Sequence, residues 1–393
     1  MIVRSKTLEL FQQDDLSKTR KINSGLNTYE AKEEKVLLES YPRRIVLELT
    51  NSCNLRCKMC GRDDVKFVPT FLPLEEIVNP LRNILEYAEE VTLFGWGEPL
   101  IHPQFEDYLS FLNIFHVRKY FVTNGMRLKE KIETIFENNV DIIAISLDGP
   151  SAEINDPIRV GSSFEKIVNN IRELVTEKKR RGKKNPYINF VFTAMKSNIN
   201  YLPAMVSLAK ELDIEEVKVV YLTIFSEKLK EESLWNCQDL TILNFAAAEV
   251  LANKLNIKLK LPYIQGNDIA WMRYHKECFV GWRDLFIGSD GYIRPCQSIK
   301  LKFKHISEYE SIEELWNSVD YQNFRRQVNA DYYMIDECKR CYQSSHANFN
   351  REKAFNQISE EWAPTWEKKK EESLQSFLEI ALEENRVIKE SKS

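Results

Sequence analysis

The strongest constraint on how this chain folds is a repeated change of rhythm between residues 43 and about 225, where short β-rich runs alternate with longer helical patterns. The strand candidates are RIVLELT (44–50), EVTLFG (90–95), KYFVT (119–123), DIIAISL (141–147), YINFVFTAM (187–195) and EVKVVYL (216–222). Amphipathic stretches such as LEEIVNPLRNILEYA (74–88) and FEKIVNNIRELVTEKKR (164–180) lie between them. Runs that are apolar on both faces and separated by helices imply βαβ crossovers and a parallel sheet. The expected fold is α/β. Six such units suit a partial (β/α)6 TIM-type barrel better than a complete eight-unit one, with a doubly wound sheet as the alternative.

Beyond residue 225 the rhythm changes. A helical run (239–256) and a short strand, KLKLP, lead into ECFVGWRDLFIGSDGYIRPCQ (277–297), where DLFIG and YIRPC flank Ser-Asp-Gly. That is a hairpin signal. A helical pattern at 311–328 and then DECKRCYQ (336–343) follow, and 359–388 is a charged amphipathic helix. Residues 1–42 are polar, with one weak helical pattern at 26–40. The chain divides into an N-terminal adapter (1–42), a core barrel (43–235), a linker with a hairpin-and-helix domain (236–345) and a C-terminal helical extension (346–393).

Of the 393 residues 43% are hydrophobic and 29% charged, ordinary values for a folded protein, and the formal net charge is −4. Such a balance gives no bulk attraction for nucleic acid or for an anionic membrane. The most basic run, EKKRRGKKNP (177–186), reads as a solvated helix end with Gly182 as its stop. No apolar run has signal-peptide character or bilayer-spanning length, so a cytoplasmic, reducing setting is expected. There, eight clustered cysteines read as metal ligands or catalysts and not as disulfides. Cys237 stands alone and is expected to act as a small buried hydrophobe.

Cys53, Cys57 and Cys60 fall in LTNSCNLRCKMCGR with the spacing C-x3-C-x2-C. A closed zinc or iron–sulfur site takes four thiolates, so three leave one metal valence for another ligand. The loop leaves the C-terminal end of the first strand, where active sites of barrels and open sheets collect. Here the sequence resembles the radical SAM enzymes. The resemblance implies a [4Fe-4S] cluster on these three cysteines, with the amino and carboxylate groups of S-adenosylmethionine (SAM) on the fourth iron. A zinc-knuckle protein is the alternative.

Later strand ends extend the resemblance over residues 43–225. FGWGEPLIHP (94–103) resembles the family's Gly-Gly-Glu-Pro segment, with Trp96 between the glycines. It implies that Gly95, Gly97 and Glu98 contact SAM, since glycines let backbone approach a ligand and Glu98 can accept from an ammonium. VTNGM (122–126) and ISLDG (145–149) end the third and fourth strands, and Ser146 is expected to face the ribose. Arg159, in NDPIRVG, matches an arginine that pairs with the SAM carboxylate in related enzymes; a surface salt bridge is its plain alternative. Met59 matches the position that borders the adenine.

Cys278, Cys296, Cys338 and Cys341 form a second group, with Gly291 between the first two. Four thiolates make a closed site for zinc or an iron–sulfur cluster. The pattern resembles the SPASM/twitch extension of radical SAM enzymes. No cysteine follows Cys341, so the match is to the twitch form (hairpin plus helix) with one auxiliary [4Fe-4S] cluster, two clusters in all.

The resemblance implies an oxidoreductase in which an electron from a flavodoxin- or ferredoxin-type donor cleaves SAM to a 5′-deoxyadenosyl radical that abstracts a substrate hydrogen. A closed auxiliary cluster suits removal of a second electron from the substrate. Residues 1–42 are short for an independent leader-binding domain, which favours a small molecule such as an aminocyclitol or sugar alcohol over a ribosomally made peptide. A non-enzymatic cluster-bearing binding protein is a third reading. In YIQGNDIAWMRYHKE (263–277), Arg273, Tyr274 and His275 are candidates to deprotonate or orient substrate, against the alternative of a linker that packs Trp271 and Met272.

Overall fold

The computed structural model describes residues 16–64, 68–224, 227–262, 278–296, 301–330, 334–335 and 338. All six expected strands form: β1 (Arg44–Leu47), β3 (Glu90–Leu93), β4 (Arg118–Thr123), β5 (Ile142–Ser146), β7 (Tyr187–Ala194) and β8 (Glu216–Tyr221). Short β2 (Arg56–Cys57) and β6 (Arg159–Val160) pair with each other outside the main sheet. β9 (Lys258–Lys260), β10 (Asp284–Ile287) and β11 (Ile293–Arg294) complete a nine-stranded sheet in the order β11-β10-β1-β3-β4-β5-β7-β8-β9. Only the β10–β11 hairpin is antiparallel. Its two ends, β9 and β11, make it an open, barrel-type sheet.

Besides a single turn at Val280–Arg283, the helices begin with α1 (Lys18–Lys32), α2 (Leu74–Arg82), α3 (Phe105–Ile114), α4 (Ile132–Glu137), α5 (Ala152–Ile158), α6 (Phe164–Arg180), α7 (Leu202–Glu211) and α8 (Gln238–Leu255). The pattern at 311–328 is two helices, α9 (Ile312–Trp316) and α10 (Val319–Val328), because Ser311 and Ser318 each cap a separate start. The N-terminal helix lies at 18–32 and not at 26–40. The shift has a physical reason: its buried face is polar, formed by Asn23, Asn27 and Glu30, so apolar periodicity could not locate it. Asn27 Nδ2 donates to the Trp282 carbonyl and to Ser40 Oγ, and Glu30 accepts from the backbone N–H groups of Glu39 and Ser40. Among the described residues, no helix is long and apolar enough to cross a membrane.

Of the core strands β5 is apolar on both faces, with Ile142, Ile143, Ala144 and Ile145 fully buried, while the others carry charged or polar residues on one face. Ile45, Leu47, Val91, Leu93, Phe121, Ile143, Phe190 and Val217 are fully buried in the main core. The alternating positions include Arg44, Glu90, Arg118, Tyr120, Asn189, Glu216 and Lys218, and they make the inner face largely polar outside β5, where Ile142 and Ala144 stand on it. At the N-terminal ends of four strands the register sets Asp284 beside Arg44, Arg44 beside Glu90, and Glu90 beside Arg118. Opposite charges on adjacent strands attract across the ladder. Burial alone raises the Asp284 pKa, but Arg283 and Arg44, the latter with Nη2 at 2.6 Å, outweigh it and hold the carboxyl at about 2. This ionic floor joins the C-terminal hairpin to the core and leaves the opposite, C-terminal strand ends for loops.

Candidate active site

The cysteine loop begins where β1 ends, and its backbone is tied down on every side. Thr50 Oγ1 donates to the Thr70 carbonyl and accepts from Ser52 N, while the Asn51 amide bonds both Val68 O and Thr70 N. Further on, β2 pairs Cys57 with Arg159, Lys58 N donates to Ile158 O, and Arg62 Nη2 reaches Leu55 O at 2.7 Å. Cys53, Cys57 and Cys60 are reduced and half-buried.

Two of these sulfurs are met by N–H donors. Leu55 N lies 3.4 Å and Asn124 Nδ2 3.8 Å from Cys53 Sγ, and Arg159 Nη1 lies 3.9 Å from Cys57 Sγ. Burial raises the Cys53 pKa, and it pushes Cys57 up to about 11 against the pull of Arg159. Metal binding deprotonates such thiols, and N–H groups aimed at the sulfurs stabilise the resulting thiolates. The donor set therefore fits an iron–sulfur cluster. Among the described residues no three Cys, His, Asp or Glu side chains close on a single metal ion.

The Gly95–Glu98 turn lies directly on this loop. A Cβ at Gly97 would sit 2.3 Å from the carbonyl oxygens of Thr50 and Ser52, and Glu98 N donates to Ser52 O at 2.9 Å. Only glycine permits that approach. A Cβ at Gly95 would meet Glu48 Cγ at 2.3 Å. Glu98 itself points inward: its carboxylate accepts from Thr123 Oγ1 (2.7 Å), Leu100 N (3.1 Å) and Asn124 N (2.7 Å). Burial pushes its pKa up to about 7 against these donors. One of these partners, Asn124, bonds Asn54 Oδ1 in the cysteine loop through its Nδ2 at 2.8 Å.

Arg159 is not in a surface salt bridge. Its Nε lies 2.7 Å from Asp148 Oδ2, with the side chains 8% and 0% exposed. Burial is the largest single influence and works against the Arg159 charge, but Asp148 together with the Cys57 and Cys53 sulfurs outweighs it, raising the pKa. Asp148 is fixed in turn by Thr193 N (2.7 Å) on Oδ1, while its own N–H donates to Asn155 Oδ1. Asp148 and Asn124 sit inside the ISLDG and VTNGM segments, but only their tertiary partners single them out. Ser146 ends β5, partly exposed. Met59, with Ile154, packs on a small apolar cluster of Ile158, Met195, Leu222, Ile224 and Leu229, separate from the main core.

The second cysteine group lies along the C-terminal segment. Cys278 N donates to Asn329 Oδ1 at 2.8 Å, Cys296 follows β11, and Cys338 is buried. All three pack on the main core. The Ser-Asp-Gly hairpin turn forms, with Gly291 at φ 71°, a left-handed backbone that suits glycine. Cys237 is partly buried against the same core. Cys341, Arg273, Tyr274 and His275 lie outside the described residues.

Comparison with known proteins adds two family matches: the radical SAM superfamily over residues 47–191 and the SPASM iron–sulfur cluster-binding domain over residues 278–342. The chain is 32% identical over 138 residues to the mycofactocin maturase MftC of Mycobacterium tuberculosis, 34% of each chain, so it spans about a third of that relative's length. It is 24% identical over 326 residues to the PqqA peptide cyclase of Gluconobacter oxydans, covering 77% of this chain and 84% of the other. Among solved structures, SuiB of Streptococcus suis bound to S-adenosylmethionine superimposes with a TM-score of 0.60 at 17% identity, covering 78% and 72% of the two chains. That last likeness is one of fold.

Proposed function

The chain belongs to the radical SAM superfamily and carries a SPASM iron–sulfur cluster-binding domain; from that premise we propose that it is a SAM-dependent enzyme that modifies a peptide. SAM and [4Fe-4S] clusters are the cofactors those two domains imply. Bound together at the first site, they supply hydrogen-atom abstraction from an unactivated carbon.

The observation that carries the reading is the convergence on the cysteine loop, itself the continuation of β1, of the ends of β3, β4 and β5 through Gly97, Asn124 and the Asp148–Arg159 pair. Cys53, Cys57 and Cys60 hold the SAM-binding cluster. The Gly95–Glu98 turn lends backbone to SAM, and Ser146 and Met59 border its nucleoside. Arg159 has its Nε committed to Asp148, and its terminal nitrogens are left to a carboxylate or to the Cys57 sulfur. Cys278, Cys296, Cys338 and Cys341 hold one closed auxiliary cluster, which suits electron transfer better than substrate coordination.

The names of the relatives weigh toward a peptide and away from a small molecule. One matched relative is named a maturase and another a peptide cyclase, and SuiB, alike in fold, has been solved with its precursor peptide. The peptide reading is the better supported.

Anaerobically reconstituted protein, given reductant and SAM, should release 5′-deoxyadenosine in step with consumption of a peptide from a panel of short precursor-like peptides. Release coupled to polyols or aminocyclitols and to no peptide overturns the substrate class. Changing Cys53, Cys57 and Cys60 together to alanine should abolish release while iron stays at the second site; continued release overturns the cluster assignment.

A further inference from the structure

We infer that Glu48 is a positioning residue that locks the hairpin of the C-terminal domain to the Gly95–Glu98 turn, so that the two cysteine-bearing regions keep one fixed relation. The inference rests on the proposed function only in taking that turn to face SAM and Cys296 to ligate a cluster.

Glu48 stands one residue past β1 and is 4% exposed. Its backbone N–H donates to Ile287 O at the end of β10. Its carboxylate then reaches in two directions. Oε1 accepts from Trp96 N at 2.8 Å, in the turn beside the cysteine loop. Oε2 accepts from Ser289 N at 3.1 Å and Ser289 Oγ at 2.9 Å, in the hairpin turn that leads through β11 to Cys296. Ser289 Oγ also lies 2.7 Å from Thr70 Oγ1, and Thr70 N donates to Asn51 just before Cys53. The buried side chain of Glu48 thus joins the core turn to Ser289, which lies 241 positions beyond Glu48 in the chain.

A buried carboxylate with no cationic partner among the described residues is unfavourable unless donors surround it. Here three donors do, all facing an acceptor-only group. Glutamine cannot replace it cleanly, because its –NH2 would oppose either Trp96 N–H or Ser289 N–H. The absence of a Cβ at Gly95, which would overlap Glu48 Cγ at 2.3 Å, lets the carboxylate lie against the turn. A group serving only to end β1 would need neither the second oxygen nor that clearance.

The test compares full-length wild type with Ser289→Ala and Glu48→Gln, by amide hydrogen exchange before reconstitution and by SAM titration of the reconstituted protein, read by EPR of the reduced cluster. Loss of a hydrogen bond at one end should speed exchange at both the 94–98 and 288–292 segments by about tenfold. Ser289→Ala should also weaken SAM binding about fivefold or more at unchanged iron content. Exchange that quickens only at the substituted segment, or SAM binding unmoved in Ser289→Ala, overturns the inference. Ser289→Ala keeps the test decisive if Glu48→Gln fails to fold. Wild type that takes up iron and does not bind SAM would refute the proposed function, while the exchange arm still judges Glu48.

Discussion

Asp148 and Arg159 form a buried ion pair, 2.7 Å between Oδ2 and Nε, that links the end of β5 to the cysteine loop. The guanidinium continues to Cys57 Sγ through Nη1 at 3.9 Å. Two charges out of water stay favourable only while each satisfies the other.

Asp148→Ala should therefore destabilise the protein by about 3–5 kcal/mol, because it leaves a buried guanidinium uncompensated. The double variant Asp148→Ala/Arg159→Met should recover a substantial part of that loss. Urea unfolding of the four proteins of this cycle, Arg159→Met included, checks both statements; losses in the two single variants that add up to the loss in the double variant would show that the pair is not coupled.

Asn124→Leu removes the donor facing Cys53 Sγ and the bond to Asn54 Oδ1. A hydrogen bond to a cluster sulfur favours the more negative, reduced state, so the first cluster's potential should fall. For a bond worth about 1 kcal/mol the one-electron shift is roughly 40 mV, and the long 3.8 Å contact makes this an upper figure. An EPR-monitored redox titration reads it directly.

Glu98 gives a pH signature. Burial raises its folded pKa from 4.5 to about 7, so the fold favours the protonated acid. The associated stabilisation is fully present below about pH 4.5 and is lost as pH rises through about 7, by an amount on the order of 3 kcal/mol. Unfolding midpoints measured from pH 4.5 to 7.5 should decline in wild type relative to Glu98→Gln, which has no proton to lose. Parallel curves would mean that the carboxylate is ionised throughout.

Gly97→Ala sets a methyl 2.3 Å from two backbone oxygens that have no flexible side chain to give way. It should cost about 1–3 kcal/mol and lower iron retention at the first site. Gly25→Ala is the control: it lies inside α1 with nothing within 4 Å of its Cβ position, and should stabilise by about 0.5–1 kcal/mol. Thermal melts with iron analysis separate the two.

Six core strands, the hairpin turn at Ser289–Gly291 and the C-x3-C-x2-C loop were legible in the amino-acid sequence, because periodicity, turn chemistry and ligand spacing are local properties of a chain. The glycines of the Gly95–Glu98 turn were legible for the same reason, since a close approach demands them wherever it occurs. The helix at Lys18–Lys32 was misplaced, because Asn23, Asn27 and Glu30 anchor it by hydrogen bonds that leave no apolar period.

What only the tertiary structure decided is who meets whom. β10 could have paired with many edges; its alignment with β1 brings Asp284 to Arg44 and Ser289 to Glu48. The largely polar inner face of the sheet depends on strand register, which sets Arg44 between Asp284 and Glu90. Arg159 reads the same in sequence whether exposed or buried, and its partner Asp148 is chosen by the fold. Pairing between distant residues depends on how loops close and layers pack. A one-dimensional pattern holds the residue types for such contacts, and the packed chain alone settles their distances.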